Sequence, residues 1–349
     1  MSKPLVVLDA DVLGRQRTGD ESYVSALLRE LPQLDDDLRF AAVTRHPQLV
    51  PDGVEAIELP AGSQAWRMSW SLPRLLRRLR PAVAHFQHVI APGAGTAAVV
   101  TIHDLSFERE PKLMGFRDRF FFTTMVPRSV RRADRVIAVS EQTKRDLVER
   151  YGVDGHRIAV IANGVDEGFS PGGAGFDGAP YLLFVGALQP RKDPLGAIEA
   201  LSLAESDLRL VMVGPDKGAA ADARRTAKRL GLEDRVEFAG HVEKQALAEL
   251  YRGAEALVFP SRYEGFGLPV LEAMASGTPV VATSAGAIPE VAGEAAVLVE
   301  PGDPVALAGG IERALADRDR LVRAGLERAR LYSWTETARR TLAVYRELL

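Results

Sequence analysis

Apolar residues in this chain fall into two kinds of run. Short, nearly uninterrupted runs occur at 5–8, 38–43, 54–59, 82–86, just before His103, and at 135–139, 158–161, 181–185, 208–213, 236–238, 256–259, 280–282 and 296–299. Without polar alternation, such runs read as strands buried on both faces of a parallel sheet. Between them the apolar positions return at helical spacing, over 22–31, 195–203, 219–230, 244–251, 304–316, 318–332 and 334–349. Leu72, Leu75, Leu76 and Leu79 stand at i, i+3, i+4 and i+7, an amphipathic helix that Pro81 ends. Ser140 is a good N-cap for a helix over 141–151. Strands alternating with helices predict doubly wound α/β sheets, and 349 residues are enough for two domains. The stretch EGFSPGGAGFDGAP holds five glycines and two prolines in 14 residues and reads as a linker. The expected organisation is a domain over 1–165, a linker over 166–180, a second domain over 181–333 and a final helix over 334–349.

Composition narrows the chemistry. With no cysteine, disulfides, thiolate catalysis and cysteine-bound zinc are excluded. A net charge of −3 argues against nucleic acid as the main partner, although residues 1–165 carry 23 basic and 20 acidic side chains and the remainder 21 and 27. Two segments of the basic half stand out. Five arginines without an acid lie between Gln64 and Arg80, interleaved with Trp66, Met68 and Trp70. Eight basic and three acidic residues lie between Arg109 and Arg135, around Phe120, Phe121 and Phe122. Each suits either a membrane surface or acceptor docking, or an ordinary helix covering the sheet with a solvated basic face. Neither a signal-peptide core nor an 18-residue apolar run is present, so a cytoplasmic protein, soluble or peripheral at the inner membrane face, is expected.

The densest chemistry lies in RYEGFGLPVLEAMASGTPVVAT, residues 262–283. It follows the strand run 256–259, so it opens at a strand's carboxyl edge, where open α/β sheets bind ligands. Gly265 and Gly267 permit close backbone approach, and Pro269 suits the first turn of a helix whose free N–H groups favour an anion. Glu264 precedes this turn and Glu272 lies eight positions on, inside an Ala-, Leu- and Met-rich helix where a carboxylate needs a partner. Sugar or ribose hydroxyls would be such partners, and an anion between the two carboxylates describes a nucleotide sugar. Arg191 and Lys192 stand just before another helix, an arrangement poor for its dipole and good for a diphosphate. Asp9-Ala10-Asp11 after the first strand could hold a divalent ion. A lone D-x-D is a weak motif beside the two cations, so no metal and no other cofactor is expected.

RYEGFGLPVLEAMASGTPVV resembles the signature of the retaining glycosyltransferases of family four, and the resemblance covers nearly the whole chain. It implies a GT-B fold, two Rossmann-like domains facing across a cleft, with the last helix returning to the first domain. It implies transfer of a hexose from a nucleotide diphosphate sugar to a glycan or lipid-linked acceptor, with retention at the anomeric carbon. GALQPRKDP is similar to the family's GxxxxRKD segment, which implies that Arg191 and Lys192 bind the diphosphate, with Gly186 making the tight turn on the donor side. Gly265, Phe266, Gly267 and Leu268 then line the donor, Glu264 holds sugar hydroxyls and Glu272 the ribose. TIHD matches the family's TxHD, so His103 contacts the transferred sugar or the reacting centre, with Asp104 beside it on the acceptor side. Thr18 and Gly19 stand at the family's Gly-rich turn, but with a single glycine followed by Asp20 and Glu21. Asn163-Gly164-Val165-Asp166 resembles the family's NGVD at the first domain's exit. GDP-mannose is slightly favoured over UDP-glucose. The rivals are another GT-B enzyme, such as a nucleotide-sugar epimerase, and a non-catalytic nucleotide-sugar binding protein.

Overall fold

The computed structural model describes every residue except 1–2, 16–18, 61, 94, 110–115, 177 and 205–206. It divides into two compact units: Met1–Glu108 with Gly115–Gly164 and Ser333–Leu349, and Arg109–Met114 with Val165–Tyr332.

The first unit holds seven parallel strands: β1 (Leu5–Asp9), β2 (Arg39–Thr44), β3 (Glu55–Glu58), β4 (Val83–Gln87), β5 (Ala97–Ile102), β6 (Arg135–Ala138) and β7 (Ile158–Val160). Their order is β3-β2-β1-β4-β5-β6-β7, so the direction of winding reverses between β1 and β4, which pair from Val6↔Val83 to Leu8↔His85. The helix Gly19–Leu34 packs against the chain's last helix, Trp334–Arg346. Ser333 caps the latter by accepting the Glu336 N–H at 3.1 Å. Ser140 does the same for Glu141–Tyr151 through the Thr143 N–H at 3.0 Å.

The segment after β3 departs from a regular helix. A π-helical turn, Arg67–Ser71, precedes the helix Leu72–Leu79 and shifts the facing of the residues before it. Leu72 and Leu76 are buried, as the apolar spacing predicts, while Leu75 and Leu79 are half-buried. Arg67 and Met68 turn into the protein, and Trp66 and Trp70 remain 58% and 49% exposed. This stretch therefore covers the sheet with one side and shows two aromatic rings on the other.

The second unit holds β8 (Tyr181–Val185), β9 (Arg209–Val213), β10 (Val236–Gly240), β11 (Ala256–Phe259), β12 (Val280–Thr283) and β13 (Val297–Val299), in the order β10-β9-β8-β11-β12-β13. Strands β8, β11 and β12 are buried at every position, which is why they read as continuous apolar runs. Phe184, Met212, Val258 and Val281 build the core with Ile198 and Leu201 of the helix Pro194–Leu203 and Ile311 of Pro304–Ala316. Here the winding reverses between β8 and β11. The loops leaving these neighbouring strands lie side by side at the carboxyl edge and open a crevice as their helices depart to opposite faces.

Candidate active site

Those two loops carry the cations and the first carboxylate. After Gly186 the chain makes a 3-10 turn, Pro190–Lys192, and the Arg191 carbonyl accepts the Arg262 N–H of the neighbouring loop at 2.8 Å. Lys192 Nζ donates to Glu264 Oε1 at 2.5 Å, and Arg191 lies 3.4 Å from Glu264 Oε2 while donating to the Tyr263 carbonyl at 2.6 Å. The Lys192 ammonium also sits 5.0 Å from the centre of the Phe259 ring at the end of β11. Glu264 is 6% exposed. Burial pushes its carboxyl pKa up, but Lys192 and Arg191 outweigh burial and hold it below the usual carboxylate range. Two cations thus converge on one buried carboxylate at the carboxyl ends of β8 and β11.

The helix conflict anticipated from sequence is resolved by the next residue. Asp193, itself left-handed at φ 52°, caps Pro194–Leu203 by accepting the Gly196 N–H at 3.2 Å, and Arg262 pairs with it at 3.1 Å. Arg191 and Lys192 thus stand in the turn before a normally capped helix. Asp followed by Pro was a legible helix start.

Two glycines shape the Glu264 loop. Gly267, at φ 102°, turns the chain into the helix Leu268–Ala275 in a conformation that side chains with a Cβ rarely adopt. Gly286, at φ 60°, lies under Glu264: a Cβ there would come within 2.1 Å of the Glu264 carbonyl oxygen, which accepts the Ala287 N–H at 2.9 Å. Gly286 went unnoticed in sequence because its contact is 22 residues away in the chain. Gly265 and Phe266 are buried, the Phe266 ring meeting the Tyr332 edge at 5.9 Å. Glu272, inside the helix, accepts from the buried Tyr251 hydroxyl at 2.9 Å. Burial raises its carboxyl to about 7, against the opposing pull of Tyr251 and Lys244. The partner that a carboxylate here requires is therefore supplied in part by the protein.

In the first unit, His103 follows β5 and its Nε2 lies 2.8 Å from Gln87 Oε1. Burial lowers its pKa to about 4, helped by His88 and opposed by Asp20 and Asp104. It is neutral at pH 7. Asp104 Oδ1 accepts from the Ser106 N–H at 3.0 Å and hydroxyl at 2.9 Å, opening the short helix Ser106–Arg109. Gly19 begins the helix Gly19–Leu34, and Thr18 lies outside the described residues.

The acidic pair has arginine partners. Arg67, with no exposed surface, reaches Asp9 from both terminal nitrogens at 2.6 and 3.2 Å. Asp11 lies 2.5 Å from Arg15, 3.1 Å from Arg45 and 3.3 Å from Arg67. Guanidinium groups thus lie against both carboxylates, and among the described residues no three metal-ligating side chains are grouped so as to hold an ion.

Comparison with known proteins agrees with this architecture. Residues 17–169 match the model for Glycosyltransferase Family 4 and residues 170–330 that for Glycosyl transferases group 1. Together the two matches span residues 17–330, and the chain belongs to glycosyltransferase family 4. The D-inositol 3-phosphate glycosyltransferase of Geodermatophilus obscurus is 37% identical over 239 residues, 62% of this chain and 53% of that protein. The chain thus spans about half the length of such curated relatives. O-antigen chain mannosyltransferase B of Escherichia coli is 27% identical over 300 residues, 81% of this chain and 77% of that one. The structure of sucrose-phosphate synthase from Thermosynechococcus elongatus aligns with a TM-score of 0.80 at 24% identity, covering 99% of each chain. The two doubly wound units form the GT-B fold.

Proposed function

We propose that this chain is a retaining hexosyltransferase that moves a sugar from a nucleotide diphosphate donor to a sugar or lipid-linked acceptor. The observation that carries the reading is the pair of cations converging on buried Glu264 at the reversal point of the second sheet. In this reading Arg191 and Lys192 exchange the carboxylate for the departing diphosphate, supported by the amide groups that open Leu268–Ala275. Glu264, once released, accepts hydrogen bonds from hydroxyls of the transferred sugar, and Glu272 with Tyr251 faces the ribose. His103 belongs to the reacting centre and Gly19 and Asp104 to the acceptor side. In the same reading the acceptor domain is 1–165 and the donor domain 181–333, joined by 166–180, a segment that packs within the second compact unit, and followed by the helix 334–349. Similarity to a mannosyltransferase supports GDP-mannose over UDP-glucose.

Fixed cations make a divalent ion unnecessary for neutralising the leaving group. In millimolar EDTA, the true donor at 100 times its Kd should stabilise the protein by about 2.7 kcal/mol, and turnover should change less than about threefold when Mg²⁺ replaces EDTA. A panel of nucleotide sugars without any thermal shift, or a tenfold dependence on Mg²⁺, overturns the reading. An epimerase would instead release a new sugar nucleotide without any acceptor, and a binding protein would shift without turnover.

Among the described residues, no helix is long and apolar enough to cross a membrane. Exposed Trp66 and Trp70, with Arg74 5.3 Å from the Trp70 ring centre, support peripheral contact with an anionic surface at the cytoplasmic face. Phe120 and Phe121 are also exposed, while Phe122 packs on Phe107. Co-sedimentation with phosphatidylglycerol vesicles should fall at least about fivefold in Trp66→Ser/Trp70→Ser, with no change in thermal stability. Equal binding by the variant removes this contact from the proposal.

A further inference from the structure

The chain leaves β4 by an unusual path. His88 is left-handed, with φ 59°, and its N–H donates to the Thr101 carbonyl at 2.9 Å. Non-glycine residues in that conformation gather where surrounding structure dictates a special geometry. Its effect here is to bring two side chains against His103. Gln87 Oε1 lies 2.8 Å from His103 Nε2, and the His88 ring centre is 5.3 Å from that of His103. The third side is closed by the edge of Tyr23 at 5.0 Å.

This cage is anchored. Tyr23 and Thr101 hydroxyls are 3.0 Å apart, His85 Nε2 lies 2.7 Å from Thr101 Oγ1, and His85 Nδ1 lies 2.6 Å from the Tyr345 hydroxyl. The network ties three strand and helix elements to the last helix through buried groups, so the ring of Tyr23 has little freedom to yield.

An amide oxygen only accepts hydrogen bonds, so a histidine nitrogen facing it must carry the proton. We propose that Gln87 is a positioning residue that holds His103 as the neutral Nε2–H tautomer and leaves Nδ1 as a lone-pair acceptor for a substrate hydroxyl. The inference rests on the assignment of His103 to the reacting centre. A lone pair is the useful form there: it can receive the hydrogen of a sugar or acceptor hydroxyl, whereas an imidazolium has only donors and would oppose positive charge developing on the sugar. Among the described residues, the charged and titratable groups around His103 are Asp20 and Tyr23 from Gly19–Leu34, His85 of β4, His88 from the β4 exit and its own neighbour Asp104. The Gln87 oxygen lies against one ring nitrogen, Nε2, and so sets the two nitrogens apart. The amino group of Gln87 is buried without a partner, which marks the amide orientation as the point to test.

Long-range ¹H–¹⁵N spectra of the full chain without donor should give His103 a protonated Nε2 and a bare Nδ1. Gln87→Leu should mix the tautomers and lower kcat for donor hydrolysis about tenfold with little change in KM, using UDP-glucose or GDP-mannose, whichever the wild type hydrolyses faster. Gln87→Glu should pair a carboxylate with Nε2–H, raise the His103 titration by at least about one pH unit and move the acid limb of kcat with it. A wild-type spectrum with Nδ1–H overturns the proposal and needs no variant to fold. So does an acid limb that stays in place in Gln87→Glu. Full activity in His103→Ala overturns the site assignment beneath it, and the wild-type spectrum separates that failure from a wrong tautomer.

Discussion

Lys192→Ala should lower kcat by about 10²–10³-fold with the preferred donor, because it removes one preorganised cation from the charge that grows on the diphosphate. The geometry sharpens the expectation. Lys192 is held 2.5 Å from Glu264 and is largely buried, so its ammonium is fixed in place and partly desolvated by the protein itself. Removing it also deprives Glu264 of its strongest opposing charge and lets burial raise the carboxyl pKa. The variant should therefore show an acid limb in kcat/KM, which reports the free enzyme, at higher pH than the wild type as Glu264 becomes protonated. Glu272→Ala provides the contrast. Its partner is Tyr251 and its assigned ligand, the ribose, is remote from the bond that breaks, so KM should rise with kcat nearly unchanged. Wild-type turnover in Lys192→Ala, or indistinguishable kinetics for Lys192→Ala and Glu272→Ala, would remove the leaving-group role.

The parts of this site that can be read in the sequence are those coded within a few residues. The strand runs, the Ser140 cap, the turn ending at Gly267 and the helix after it all depend on local spacing and on backbone conformations with strong residue preferences. The partners are invisible for the opposite reason. Lys192 meets Glu264 across 72 positions, Tyr251 meets Glu272 across 21, and Gly286 supports Glu264 from the next strand's exit. Each meeting is created by strand order, which places β8 beside β11. The π-helical turn at Arg67–Ser71 has no such local code either: regular spacing over 72–79 gives no sign that the residues before it have rotated. As a result, Arg67 reads in sequence as one more arginine of a basic face, when it is the one fully buried.

Arg67→Met should destabilise the first unit by about 3–5 kcal/mol, lowering its Tm by roughly 6–20 °C, while leaving the second unit's transition in place. Asp9 is nearly buried, and Arg67 satisfies both of its oxygens. Without the guanidinium, the carboxylate keeps its desolvation cost and loses its compensating charge. Asp11 suffers less, since Arg15 and Arg45 remain. A neutral replacement of both partners behaves differently: Asp9→Asn/Arg67→Met leaves no unpaired charge, so the double variant should lose less than half of what Arg67→Met loses alone. That non-additivity distinguishes a buried ion pair from simple loss of packing, which would make the two losses add. It also bears on the chemistry of the acidic pair. A carboxylate that needs an arginine to remain folded is poorly placed to exchange it for a divalent ion, and adding Mg²⁺ should not restore the Tm of Arg67→Met. If Mg²⁺ did restore it, Asp9 and Asp11 would have to be reconsidered as metal ligands.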